Sequence, residues 1–303
     1  MANIAIIGVG NVGANTAFFI AEKNIGSVVM YDIQDGLAQG KALDMMEAAP
    51  IRGYQYGISG TNSMEDVADT NVAVVAAGTV RQPGAKRDDL FTQNAEIIDG
   101  IAESMQGYGG TVVIATEPVD LMVMRFREKS GLDASRVVGL GGVLDSTRFR
   151  YALSRELGIT TENITATVIG RHSDQMMPLV EYSRVNGVPV HTLMDDVHLA
   201  KVLDETRNAG DLIVEMSQRS SSFYGPSAAA ADVVQAIIWD TKRILPISFV
   251  WDGQYGIAGV AMSLPTVLGF TGIERVLEPQ LSQDQVQILK KSADELTSIY
   301  AKA

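Results

Sequence analysis

Ile4-Ala5-Ile6-Ile7-Gly8-Val9-Gly10-Asn11-Val12-Gly13 is the stretch on which the fold of this 303-residue chain turns. Four apolar residues run straight into three glycines within six positions, and a helical pattern starts at once. Glycines at 8, 10 and 13 permit a tight turn, a close backbone approach to a phosphate and close packing of helix on strand, while a helix N-terminus attracts an anion. Further out, a second apolar run from Val28 ends at Asp32, nineteen residues beyond Gly13. A carboxylate there accepts hydrogen bonds from a ribose and repels a 2′-phosphate, so the two signals together point to NAD rather than NADP. Gly8, Gly10, Asn11, Val12, Gly13 and Asp32 are therefore the core of an expected cofactor site.

The same rhythm continues. Short Val- and Ile-rich runs at 4–7, 28–32, 72–77, 112–116 and 137–140 read as buried parallel strands. The segments between them carry crossover helices, for instance 13–23 and 89–106, which predicts an α/β fold with a doubly wound parallel sheet. After about residue 145 the pattern changes to a helix at 145–157, strand-like pieces at 164–169 and 180–185, and helical stretches from 196 to 240. Two late strands, 247–251 and 260–264, flank the turn signal Asp252-Gly253. This half reads as α+β, giving an expected division into 1–142 and 143–303. Ser282 and Gln285 stand in capping-box spacing, and Val286, Leu289, Ala293 and Leu296 follow at helical intervals. With no Pro-rich linker in the sequence, the junction near 143 reads as a tight hinge.

Composition narrows the function. No stretch approaches the roughly 18 apolar residues of a membrane span, and the N-terminus lacks a basic leader, so no membrane partner and a cytoplasmic location are expected. Cysteine is absent, which excludes disulfides, thiolate metal sites and a thiol nucleophile. A net charge of −12 argues against nucleic acid, and any anionic substrate must find a local cationic pocket. Candidates for such a pocket are at hand. Ala77-Gly78-Thr79 closes the third strand of the sheet, and the polar loop Arg81-Gln82-Pro83-Gly84-Ala85-Lys86-Arg87-Asp88-Asp89-Leu90 has the length and Pro-Gly content of a lid. Leu144-Asp145-Ser146-Thr147-Arg148-Phe149-Arg150 opens the second half, with Asp145 and Arg148 on one helical face. Gly170-Arg171-His172-Ser173-Asp174 follows an apolar strand and holds one of only three histidines.

In these motifs together, and in Phe223-Tyr224-Gly225-Pro226 and Gly253-Gln254-Tyr255-Gly256, the sequence resembles the lactate/malate dehydrogenase family over nearly its whole length. The likeness is greatest to the lactate-dehydrogenase-like malate dehydrogenases of bacteria and archaea. It implies a Rossmann domain followed by a catalytic α+β domain, NAD as cofactor, a small dicarboxylate substrate, and a homo-oligomer, either dimer or tetramer. By the same likeness His172 is the acid/base at C2, Asp145 orients and supports its imidazole, Arg148 binds the C1 carboxylate and Arg87 polarises the reacting carbonyl. A histidine suits proton transfer near neutrality, and a planar guanidinium fixes both the charge and the orientation of a carboxylate. Arg81 stands where lactate enzymes carry a neutral residue, so it would meet a second carboxylate and select malate. Gly78, Asn94 and Thr116 complete the expected cofactor set, while Arg150 is assigned to the surface.

Two positions depart from the family pattern. Glu117, in Ala115-Thr116-Glu117-Pro118-Val119-Asp120, replaces an asparagine and is counted with the substrate-binding residues. A carboxylate there repels an anionic substrate while favouring a cationic histidine. Arg171 and Ser173 replace the residues usual on either side of the histidine, with Arg171 expected to offset Glu117 and Ser173 removing a permissive glycine. Two alternatives accompany the malate reading: a dehydrogenase for another 2-hydroxyacid, and an NAD-binding homologue impaired in turnover.

Overall fold

A computed structural model describes residues 2–79, 87–217 and 222–302, and of Arg87 and Asp88 the backbone only. Six strands, β1 (Asn3–Ile7), β2 (Ser27–Tyr31), β3 (Ile58–Thr61), β4 (Val72–Val75), β5 (Thr111–Ile114) and β6 (Val137–Gly139), run parallel in the order β3-β2-β1-β4-β5-β6. This is the doubly wound arrangement, with the strand order reversing between β1 and β4. The helices that cross between strands are α1 (Asn11–Glu22), α2 (Leu37–Arg52), α3 (Phe91–Ser104) and α4 (Val119–Ser130).

Successive residues of the central strands feed two separate cores, because side chains alternate across a pleated sheet. Ala5, Ile7, Val75 and Ile114 face one side with Phe91 and Ile98 of α3 and Phe126 of α4. Ile4, Ile6, Val74 and Val113 face the other side with Ala17 and Ile20 of α1. Both faces are covered, so these strands read in the sequence as unbroken apolar runs rather than alternating ones.

Past β6 comes α5 (Gly141–Leu157), then four two-residue strands, β7 (Ile164–Thr165), β8 (Val168–Ile169), β9 (Met177–Pro178) and β10 (Arg184–Val185), and β11 (Val188–Pro189) of the same length. Helices α6 (Asp196–Ser217) and α7 (Tyr224–Ile238) follow, and a third core joins Phe149 and Leu153 of α5 to Val202 of α6. The chain then returns to the first sheet. Strands β12 (Ile244–Asp252), β13 (Ala258–Gly269) and β14 (Gly272–Val276) add antiparallel to the β6 edge, giving nine strands that run unbroken across residues 142 and 143. Finally α8 (Gln283–Tyr300) packs Leu289, Ala293 and Leu296 into the first core, its N-terminus closed by the expected capping box of Ser282 and Gln285.

Several boundaries differ from those read in the sequence. Helix α5 begins at Gly141 rather than 145, because Gly141 and Gly142 are packed tightly enough to stay helical: a Cβ on Gly141 would lie 3.0 Å from that of His172. The expected strand at 180–185 is a 3-10 turn (Val180–Tyr182) followed by β10, and the 164–169 run is broken between β7 and β8. The helical stretch from 196 to 240 is two helices, with α6 ending at Ser217 and α7 opening at Tyr224.

Candidate active site

The carboxyl ends of β1, β4 and β5 meet around an open cleft, and both expected halves of the site line it. Gly10, Asn11 and Val12 border it at the start of α1, Gly78 and Thr116 lie at the strand ends, and Glu117, Arg148 and His172 lie deeper. Gly8 turns the chain with φ +88°, and a Cβ there would fall 2.5 Å from the Ala77 backbone, so the turn admits no side chain. Gly13 is pressed against the Gly8 carbonyl, which would lie 2.0 Å from a Cβ. Among the described residues, nothing approaches a Cβ on Gly10 and no side chain caps the first turn of α1. An uncapped helix start behind an open glycine is the cradle that a pyrophosphate fits. Asp32, just past β2, accepts the Val9 N–H at 2.9 Å and the Gln34 N–H at 3.0 Å, which fixes its carboxylate at the edge of that cradle. These residues fit a dinucleotide.

His172 follows β8 on a buried loop, and its ring is sandwiched between carboxylates. Nδ1 lies 2.7 Å from Asp145 Oδ2, and Nε2 lies 3.2 Å from Glu117 Oε1. Arg148, one turn further along α5, sets Nη1 3.5 Å from the other oxygen of Asp145. The spacing of three that placed these two residues on one helical face thus brings both to the same carboxylate–imidazole unit.

The main chain of this unit is held from behind. The His172 N–H donates to Asp120 Oδ2 at 2.7 Å, and the Ser248 hydroxyl donates to Asp120 Oδ1 at 2.5 Å. Burial pushes the Asp120 carboxyl up to about 6, against the opposing pull of those two hydrogen bonds and of the nearby His172 and Arg171 charges. Gly170 exchanges two hydrogen bonds of 2.9 Å with Ser263 of β13, tying the loop to the sheet.

Both halves of the chain match family models described as lactate/malate dehydrogenase: the NAD binding domain over residues 2–139 and the alpha/beta C-terminal domain over 142–303. The chain belongs to the lactate/malate dehydrogenase family. It is 39% identical to a malate dehydrogenase of Desulforudis audaxviator across 98% of this chain and 96% of that one. Among solved structures, a malate dehydrogenase of Cryptosporidium parvum superposes with a TM-score of 0.97 at 35% identity, covering 99% of this chain and 98% of that one. A lactate dehydrogenase from the same organism, complexed with lactic acid and NAD, gives a TM-score of 0.95 at 32% identity over 99% and 97%. As a lactate/malate dehydrogenase, the chain is an NAD-dependent oxidoreductase.

Within the family frame, several expected residues also make structural contacts. Asn94 is fully buried, and its amide braces two loops, accepting the Thr79 N–H at 2.7 Å and donating to the Glu117 carbonyl at 2.6 Å. Thr116 lines the cleft while its hydroxyl donates to the Ala77 carbonyl at 2.7 Å. Arg171 is only 5% exposed, and its guanidinium pairs with Glu295 of α8 at 3.0 Å. Ser173 costs no glycine, because Gly170 takes the positive φ of the loop and Ser173 is not among the positive-φ residues. Arg150 is part-buried rather than on the surface, and donates to the Thr161 carbonyl at 3.0 Å. Arg81 and the side chain of Arg87 lie outside the described residues; the backbone of Arg87 opens the 3-10 turn before α3.

Residues the sequence reading passed over also hold the site. Asp120 is one, and an acid in the apolar helix start Val119-Asp120-Leu121-Met122 was the available signal. Lys41 is another, donating from α2 to the Val9 carbonyl, so Asp32 and Lys41 grip the two sides of the glycine-rich turn. Gln175 donates to Glu295 at 2.7 Å and accepts from Ser292 at 2.8 Å, and no local pattern announces so remote a pairing.

Proposed function

We propose that the chain is an NAD-dependent malate dehydrogenase, interconverting malate and oxaloacetate. The observation that carries this reading is the His172–Asp145 pair at 2.7 Å, facing a dinucleotide cleft that Arg148 also lines. Bound in this cleft, NAD would supply the hydride acceptor for C2 of the substrate, and NADH the donor in the reverse direction. Gly8, Gly10, Asn11, Val12 and Gly13 form the turn and helix start for the pyrophosphate, Asp32 takes the ribose, and Gly78 and Thr116 border the nicotinamide end. His172 takes the C2 hydroxyl proton at Nε2 during oxidation and gives it back during reduction. Asp145 keeps the Nδ1 proton in place, which leaves Nε2 as the working atom and supports the ring when it is cationic.

Arg148 holds the C1 carboxylate, Arg87 stabilises charge developing on the carbonyl oxygen, and Arg81 pairs with the second carboxylate. Support for malate comes from Arg81 and from relatives named malate dehydrogenase. The test is the initial rate of NADH oxidation with oxaloacetate beside pyruvate, for the native chain and for Arg81→Gln. A preference for oxaloacetate of at least about a hundredfold is expected, collapsing in the variant, because closure over a ligand lacking the second carboxylate buries an unpaired arginine. A preference unchanged by Arg81→Gln overturns the assignment.

A second reading, an NAD-binding homologue impaired in turnover, is favoured by Glu117, whose carboxylate occupies the hydrogen-bonding direction of Nε2. Saturable NADH binding without oxidation by either 2-oxoacid would bring that reading forward. The proposal further includes a cytoplasmic homo-oligomer, dimer or tetramer, on the strength of the family likeness; light scattering at a monomer mass removes the oligomer.

A further inference from the structure

Glu117 ends the connection from β5 to α4, and its backbone carbonyl is pinned by the Asn94 amide at 2.6 Å. The carboxylate is thereby set against Nε2 of His172 at 3.2 Å, while Asp145 holds Nδ1 at 2.7 Å and the His172 side chain is 2% exposed. A neutral imidazole has one N–H and one lone pair, so it can donate to only one of two carboxylates. Its other nitrogen would then face a carboxylate oxygen with lone pair against lone pair. A ring protonated on both nitrogens satisfies both contacts, as buried polar groups generally are. The other charged groups around the ring, among the described residues, are Arg148 on α5, Asp120 on α4 and Arg171 in the loop itself.

We infer that Glu117 is a latch on His172: in the resting site it keeps a proton on Nε2 and fills the hydrogen bond that the oxygen at C2 of the substrate must take over. The identity of that oxygen rests on the malate dehydrogenase reading. Entry of a 2-oxoacid exchanges one acceptor for another, with Glu117 Oε1 leaving Nε2–H and the C2 carbonyl oxygen taking its place. As C2 gains hydride from the reduced nicotinamide, the C2–O double bond becomes single and the Nε2–H bond breaks. The proton passes to the oxygen, and the ring is left neutral with its remaining proton on Nδ1, donated to Asp145. A 2-hydroxyacid meets the opposite situation, because Nε2 already holds the proton it should receive. That proton must leave to solvent before oxidation begins. Glu117 is thus a positioning residue that loads the site for reduction.

The test has one arm independent of turnover. The chain has three histidines, and His191 and His198 are exposed, so the ring nitrogens of buried His172 can be followed by 15N-labelled imidazole NMR. At pH 7.5 the native chain should show both His172 nitrogens protonated, and Glu117→Gln, which keeps size but removes charge, should show one. A singly protonated His172 in the native chain, or identical ring spectra in the two proteins, overturns the latch. In the second arm, Glu117→Gln should raise the ratio of kcat for malate oxidation to kcat for oxaloacetate reduction at pH 7 about tenfold, with compensating KM changes that keep the equilibrium constant fixed, and move the pH profile of oxidation toward acid. Equal losses in both directions with an unmoved profile would mark Glu117 as merely structural and overturn the inference. If the native chain turns over neither 2-oxoacid, the malate reading fails while the ring spectra still decide the latch.

Discussion

Asp120 commits one carboxyl oxygen to the His172 N–H and the other to the Ser248 hydroxyl, in a site only 3% exposed. Its carboxyl is raised to about 6, so between pH 4 and pH 6 the folded chain binds a proton that the unfolded chain has released. Stability from this group is therefore present at low pH and is lost as pH rises through 6. Asp120→Asn cannot ionise, and its stability relative to the native chain should improve by roughly 2 kcal/mol from pH 4.5 to pH 7.5. Urea midpoints of both proteins at the two pH values check this, and a difference that stays constant sinks it. At this scale, four residues read from the sequence for their chemistry, His172, Asp145, Arg148 and Asp32, sit around one cleft or its cradle. The sequence was uninformative wherever a residue acts through a distant partner. Arg171 finds Glu295 across 124 positions, and nothing local to Arg171 announces that carboxylate.

Among the elements, α8 does more than cover the sheet. Its inner face fills the first core, while Glu295 receives Arg171 at 3.0 Å and Gln175 at 2.7 Å, one residue before and three after the candidate acid/base. Removing the Ser282 hydroxyl loosens only the start of this helix, and Ser282→Ala should cost about 1 kcal/mol of stability with kcat unchanged, read by thermal unfolding and initial rates. Glu295→Ala removes one partner of a guanidinium that is 6% exposed and should cost about 1 kcal/mol, less than for a fully enclosed pair because Glu295 itself is 37% exposed. It should also lower kcat more than it raises KM, since the loop bearing His172 loses its tether; kinetics at saturating NADH separate the two. Elements were legible in proportion to their burial. Strands β1, β4 and β5 are apolar throughout their central residues and were found nearly to the residue, whereas β3, reading Ile-Ser-Gly-Thr on an edge, carries no such signature. The 180–185 run was misread because Val180 and Val185 frame a polar Glu181-Tyr182 turn that mimics alternation.

For the whole molecule, the decisive feature is that the last three strands rejoin the sheet begun by the first six. One sheet supports both the cofactor cradle and the histidine loop, through Ala77 on one side and Ser263 on the other. Unfolding should therefore be one cooperative event, with calorimetric and van't Hoff enthalpies in agreement for each assembled unit, and two separated heat-absorption peaks would contradict it. The pairing of Ser248 with Gly139 also sets an order of events in the growing polypeptide. Strand β6 leaves the ribosome roughly a hundred residues ahead of the strand that will cover its edge, and at typical synthesis rates of about 5–20 residues per second that edge stays bare for several seconds. Over that interval the apolar Val-Val-Gly edge beside buried β5 lacks its antiparallel neighbour. At three residues that edge is short, which itself limits pairing with other chains until β12 arrives.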